Sequence, residues 1–303
     1  LFDIHKLRWD DAVLKELGIP RSALPRVCES GEIVGMCSAD VLGEEIPIAG
    51  IAGDQHAALF GQCCFAEGMA KNTYGPGCFV LMNTGDKPVF SDRGLITTIG
   101  WCVNGETTYA LEGSAFNAGS AIKWLRDELK LIANPQEADL LAETVEDAGG
   151  AVFVPAFTGL GAPYWDEKAT ASISGITRTT GKAEVVKAAL DCIAYQITDL
   201  VRAMEQDTGL QIAELRVDGG PTRNAYLMQF QSDIANKRVN IPDAEELSGI
   251  GAAYMAGISA GLYDLEKLAG NMRRSVYEPK MADEVREKKY AGWKEAVGGV
   301  LTK

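Results

Sequence analysis

Apolar and polar positions alternate in two periods along the chain. Apolar runs with strand character cover residues 46–52, 69–73, 78–82, 95–101, 108–111, 151–157 and 215–217. Gly75, Asn83-Thr84-Gly85 and Asn104-Gly105 punctuate them as turns. Ala115, Ala118, Ile122 and Leu125 fall at helical spacing and predict a helix over 114–129. The same period predicts helices over 10–17, 56–61, 137–146, 182–208, 224–236, 249–261 and 284–301, the small residues of 249–261 suiting close packing on a sheet. Strands followed by helices, twice over, predict two α/β lobes.

The run 46–52 ends abruptly at Asp54. It reads as a buried strand that delivers one carboxylate to a crevice at its C-terminal end, where open α/β sheets bind ligands. A carboxylate beside the amide of Gln55 suits a general base that takes a proton from a hydroxyl. An Asp before His56-Ala57-Ala58-Leu59 equally suits a helix N-cap, and the two roles are compatible. Tyr74-Gly75-Pro76-Gly77 is either a phosphate cradle or a plain β-hairpin. Val217-Asp218-Gly219-Gly220 with Asn224 is either a nucleotide platform at a helix N-terminus or an ordinary βα turn. Ala118-Gly119-Ser120-Ala121 sits inside the predicted helix, for close packing or for contact with a flat base. His5 and His56 are too few and too far apart for a metal site.

Composition narrows the partners. The 303 residues carry a net charge of −13, which argues against nucleic acid or an anionic membrane as a bulk partner. No apolar run reaches membrane-spanning length. Seven Cys without a CxxC pair predict free thiols in a reducing cytoplasm rather than disulfides or zinc. The chain opens at Leu1, not Met, as if already inside a fold, so a longer protein is expected. A homo-oligomer is left open.

The order of the motifs is more specific than any one of them. Gly53-Asp54-Gln55, Lys71-Asn72-Thr73-Tyr74-Gly75-x-Gly77-Cys78-Phe79, Pro155-Ala156-Phe157-Thr158-Gly159-Leu160-Gly161-Ala162-Pro163-Tyr164-Trp165, Val217-Asp218-Gly219-Gly220 and Gln229-Phe230-Gln231-Ser232 occur in sequence. The chain thereby resembles the FGGY carbohydrate-kinase family. The resemblance implies an α/β, actin-like ATPase (RNase H-like) fold, with the end of the first lobe in residues 1–62 and the complete second, nucleotide-binding lobe in 63–303. It implies transfer of phosphate from ATP, with Mg2+, to a polyol, glycerol before others. Matched by motif, Asp54 takes the place of the catalytic base, and Gln55 and Phe79 join it at the polyol. Gly75, Pro76 and Gly77 flank the phosphates, and Gly119, Lys123, Gly220 and Asn224 lie along the nucleotide.

Pro76 stands where the family has Thr, and Lys123 where it usually has Gln. The family's first phosphate loop and most of its polyol-holding residues are expected upstream of Leu1, so the 303-residue polypeptide alone is expected to have little kinase activity. Another FGGY sugar or polyol kinase and a non-catalytic nucleotide-binding remnant are the alternative readings.

Overall fold

The computed structural model describes residues 1–302 apart from Ala269 and Asn271. The first fifty residues form two small ribbons, two short α-helices and one 3-10 turn at Arg21–Ala23. β1 (Phe2–Asp3) pairs with β2 (Arg8–Trp9), and α1 (Asp11–Glu16) follows, capped by the Asp10 carboxylate. β3 (Gly35–Cys37), α2 (Ala39–Leu42) and β4 (Ile46–Ile48) follow, with β3 and β4 antiparallel. Here the predicted buried strand over 46–52 is corrected. Only Ile46–Ile48 is extended, and it is exposed. An apolar run is buried only if another element covers it, and among the described residues β4 pairs with β3 alone.

The next elements build one large sheet. After α3 (Asp54–Gly61) come β5 (Ala70–Tyr74), β6 (Cys78–Gly85), β7 (Ile96–Val103) and β8 (Glu106–Ala115). Then follow α4 (Gly119–Asp127), α5 (Pro135–Glu143), the ribbon of β9 (Val152–Val154) and β10 (Ser172–Ser174), and α6 (Lys182–Thr208). β11 (Glu214–Asp218), α7 (Ala225–Ala235), β12 (Arg238–Pro242), α8 (Leu247–Ser259), α9 (Leu265–Leu268), β13 (Arg274–Tyr277) and α10 (Asp283–Gly298) complete the chain. The sheet order is β13-β12-β11-β5-β6-β8-β7, with β5, β11 and β12 parallel at its centre. Alternate residues face opposite layers. Val80, Met82 and Leu111 point to the core under α6, whereas Leu81 and Ala110 pack with Leu59, Phe60 and Met255 of α3 and α8. Among the described residues no helix is long and apolar enough to cross a membrane.

Two predicted helices are re-placed. β8 runs on to Ala115 and α4 begins only at Gly119, so the helix predicted over 114–129 starts late. The small-residue helix α8 begins at Leu247; it reaches the sheet through Met255, as its small residues suggested, and crosses α3 at close range. A Cβ on Gly251 would lie 1.8 Å from the Ala57 carbonyl oxygen, and one on Gly61 would lie 2.2 Å from the Leu247 oxygen. The two backbones therefore cross in direct contact, which sets where the N-terminus of α3 points.

α6 is buried along most of its length and carries a buried carboxyl, Asp191. Burial pushes the Asp191 carboxyl up to about 7, opposed by the hydrogen bond donated by the Tyr226 hydroxyl and by the charges of Lys289 and Lys187. Holding this acid protonated stabilises the fold only while the unfolded chain is protonated too. That stability is lost as pH rises from the ordinary value of 3.8 towards about 7. Asp191→Asn keeps an acceptor for Tyr226 and removes the charge. Its urea midpoint is expected to exceed that of the wild type by more at about pH 8 than at about pH 5. An equal difference at both pH values would place the slope elsewhere.

Candidate active site

Asp54 is the first residue of α3, and Gly53 is the N-cap, which corrects the capping role considered for the carboxylate. The acid is exposed at the positive end of the helix, a favourable place for negative charge. Its backbone oxygen accepts from the Ser248 hydroxyl at 2.9 Å, which ties it to α8. Gln55 Nε2 donates to Asp54 Oδ2 at 3.1 Å. Gln55 Oε1 accepts from Lys71 Nζ on β5, and Lys71 donates also to Thr73 Oγ1 at 2.9 Å. Phe79 on β6 lies directly across from Thr73 in the ladder and is exposed. Cross-strand partners share a face, so Phe79 is on the sheet face where Thr73 and Lys71 meet Gln55, beside the start of the glycine turn.

Burial sets the charge states around this chain of contacts. It lowers the Lys71 ammonium to about 8, while Asp218, Glu112 and Asp54 oppose the shift by attraction. Burial raises Glu112, with Lys71 pulling it down and Asp54 adding to the rise. His56 is lowered by burial and by Lys71, and its Nε2 contacts Thr98 Oγ1 at 3.2 Å. The imidazole is therefore neutral at pH 7 and bonded to the sheet. Asp218, at the end of β11, accepts from Gln62 Nε2 at 3.0 Å.

The turn Gly75-Pro76-Gly77 lies against the N-terminus of α4. The amides of Ala118 and Ser120 donate to the Pro76 oxygen at 2.8 and 3.0 Å, and the Gly119 amide donates to the Gly75 oxygen at 3.1 Å. These are the helix's orphan donors, here satisfied by the turn. Gly119 is thus the opening residue of the helix, where a Cβ would approach the Gly75 oxygen to 2.7 Å. Gly219, at φ +98°, meets the same turn from the other side, its Cβ position 2.0 Å from the Tyr74 oxygen. A side chain at Gly220 would meet nothing within 4 Å. The required glycine of that pair is therefore Gly219.

Next to this junction is a cavity of 340 Å³ lined by Gly119, Lys123, Leu190, Gly220, Asn224 and Leu227, among others. Its size suits a small-molecule ligand. Asn224 caps α7 by accepting from the Leu227 amide at 2.6 Å, so its Oδ1 is occupied and its NH2 remains for a ligand. The predicted site residues thus form two groups. Asp54, Gln55 and Phe79 are on the α3 face of the sheet, and Gly119, Lys123, Gly220 and Asn224 line the cavity. Gly75, Pro76 and Gly77 join them.

Lys71, Glu112, Asp218 and Ser248 escaped the sequence reading as individual site residues. One signal was present for Lys71: Lys71-Asn72-Thr73 are three polar residues within a strand, and the two-residue spacing places Lys71 and Thr73 on one face.

The FGGY family of carbohydrate kinases matches this chain with the model of its C-terminal domain over residues 70–260 and that of its N-terminal domain over 1–61. The chain is 52% identical to glycerol kinase of Petrotoga mobilis over 299 residues, 98% of this chain and 60% of that protein. It is 53% identical to glycerol kinase 2 of Thermotoga maritima, covering 99% of this chain and 61% of that one. The chain thus spans about 60% of the length of the curated relatives it matches. The crystal structure of Plasmodium falciparum glycerol kinase with ADP superposes with a TM-score of 0.92 at 40% identity, over 100% of this chain and 62% of that one. Gluconate kinase of Lactobacillus acidophilus, at 20% identity and a TM-score of 0.88, shares the fold. The seven-stranded α/β architecture is that of the actin-like ATPases, and the chain belongs to the FGGY family of carbohydrate kinases.

Proposed function

We propose that the chain serves ATP-dependent phosphorylation of glycerol to glycerol 3-phosphate, with 1–62 as the end of one lobe and 63–303 as the other. The observation that carries this reading is the link from Asp54 through Gln55 and Lys71 to Thr73, one residue before the Tyr74-Gly75-Pro76-Gly77 turn. The link supports the reading because it ties the candidate base to the strand that leads into the glycine turn.

Asp54 accepts the proton of a terminal hydroxyl while that oxygen attacks the γ-phosphorus of Mg·ATP. The bond from the γ-phosphorus to the bridging oxygen breaks, and ADP leaves. Phosphoryl transfer needs positioning and charge stabilisation more than covalent chemistry from the protein. The second Gln55 N–H reaches the polyol, and Phe79 packs on its carbon skeleton. Gly75, Pro76 and Gly77 flank the phosphates. The nucleotide lies along Gly119, Lys123, Gly220 and Asn224. Mg2+ enters as part of the substrate, held by the phosphates; among the described residues no cluster of acidic, His or Cys side chains would hold a resident metal.

A panel of polyols and ketopentoses in a coupled ADP-release assay of the full-length gene product tests the reading. Glycerol is expected to give the highest kcat/KM. A different preferred polyol would move the substrate within the family. ADP binding by calorimetry without transfer to any acceptor would replace catalysis by binding alone.

Pro76 carries its own expectation. It lacks an amide hydrogen and a hydroxyl in a turn read as holding phosphate. Hydrogen bonds to charged groups are worth about 1.5–3 kcal/mol. Pro76→Thr keeps the backbone oxygen that Ala118 and Ser120 use, and is expected to raise kcat by about tenfold. An unchanged kcat would show that the turn gains nothing from the added donors.

A further inference from the structure

We infer that Lys71 is a positioning residue for Asp54, acting through the Gln55 side-chain amide whose orientation it dictates. Its kinetic consequence rests on the phosphoryl-transfer reading; the geometric claim does not.

An ammonium has three N–H donors and no lone pair. It can face an amide only at the oxygen. Gln55 touches Lys71 with one end of its amide and Asp54 Oδ2 with the other, at 3.1 Å. Turning the amide over would set NH2 against NH3+ and a carbonyl against a carboxylate. Both contacts would be repulsive, so the protein admits one orientation. That orientation aims an N–H at Asp54 and restrains a carboxylate that is otherwise exposed.

Lys71 is well placed to be the fixed point. It is fully buried and clamped by Thr73 Oγ1 at 2.9 Å. Burial also keeps it from touching a substrate, so its influence passes through Gln55. The charged and titratable groups facing it come from every neighbouring element: Asp54 and His56 from α3, Cys64 from the loop after it, Cys78 from β6, Glu112 from β8 and Asp218 from β11. The acids hold the proton on against burial. As pH rises through about 8 the amine loses its proton and gains a lone pair. The demand for an oxygen disappears, and the Gln55 amide is free to turn.

Two measurements test this. In the 303-residue chain, the Gln55 side-chain NH2 resonances are expected to be dispersed and slowly exchanging in the wild type. In Lys71→Met they are expected to collapse towards those of free glutamine while the rest of the amide spectrum is retained. Unchanged Gln55 resonances in the folded variant would overturn the inference. Should Lys71→Met fail to fold, a pH titration of the wild type decides the matter. The Gln55 resonances must move with the same midpoint as the Lys71 Cε signal, and independence of the two would overturn it.

In the full-length gene product, Lys71→Met is expected to lower kcat about tenfold to a hundredfold with KM for ATP within about twofold, the size of a small misplacement of a reacting group. The alkaline fall in wild-type kcat should vanish in the variant. A normal kcat in the variant would overturn the positioning role. If the wild type phosphorylates no acceptor, the functional reading fails, while the resonances of Gln55 still decide the role of Lys71.

Discussion

Asp54→Asn in the full-length gene product is expected to lower kcat by about 10²–10⁴-fold, the range for loss of a positioned general base. Asn preserves the size of the side chain and an acceptor for Gln55 Nε2. It cannot take a proton from an alcohol. Loss of one negative charge at the start of α3 costs about 0.3–1 kcal/mol of stability, too little to unfold the protein. ADP affinity should hold, because the cavity proposed for the nucleotide is lined by α4, α5, α6, the turn after β11 and the start of α7, none of which carries Asp54. Steady-state kinetics and calorimetry on the same preparation read both quantities. A fall of less than about tenfold would remove Asp54 from the role of base. A parallel loss of ADP binding would make the effect structural.

Asp199→Ala should have the largest effect on stability. Asp199 is 3% exposed on α6 and accepts three hydrogen bonds. The Tyr164 hydroxyl donates at 2.6 Å, the Tyr290 hydroxyl at 2.5 Å and Trp293 Nε1 at 2.7 Å. Burial first, and then the Asp199 charge, raise both phenols. They therefore stay protonated donors at any working pH. Alanine leaves the buried Trp293 N–H and two half-buried phenols without their acceptor, together with a void. Each buried donor left without an acceptor costs about 1–3 kcal/mol, whereas the Lys294 ammonium, 3.6 Å from Asp199 Oδ1, is 44% exposed and is rehydrated. For a chain of this size the loss lowers Tm on the order of 10 °C. Asp199→Asn keeps the volume and one acceptor oxygen and should cost less. The cluster fastens the loop at Tyr164 and the helix α10 to α6, away from the cavity, so kcat per folded molecule should be unchanged. A Tm within about 2 °C of the wild type would mean that water replaces the lost acceptor.

Much of this architecture was readable before any coordinates. The helix Lys182–Thr208 appears at the predicted bounds, because a long apolar stretch has one stable solution when it is covered on all sides. The hairpin at Gly75-Pro76-Gly77 and the break at Asp218-Gly219-Gly220 stand where turn chemistry put them. β12 and β13 were not predicted. Arg238–Pro242 and Arg274–Tyr277 are short and become strands only by pairing with β11 and with each other. The start of α4 was misplaced for a related reason: Ser114 and Ala115 fit either period, and pairing with Cys78 and Phe79 draws them into β8.

The amino-acid sequence by itself determined the α/β class, the family and the residues Asp54, Gln55, Gly119, Gly220 and Asn224 as places to look, because residue type and order are local quantities. Only the tertiary structure decided that Gly219 is the glycine the turn requires, that the α4 amides are taken by the turn, that α8 crosses α3, and that Lys71 meets Gln55 across the sheet. Those outcomes depend on which backbones approach within a few ångströms. Contacts between residues far apart in the chain leave no period in the sequence from which they could be read.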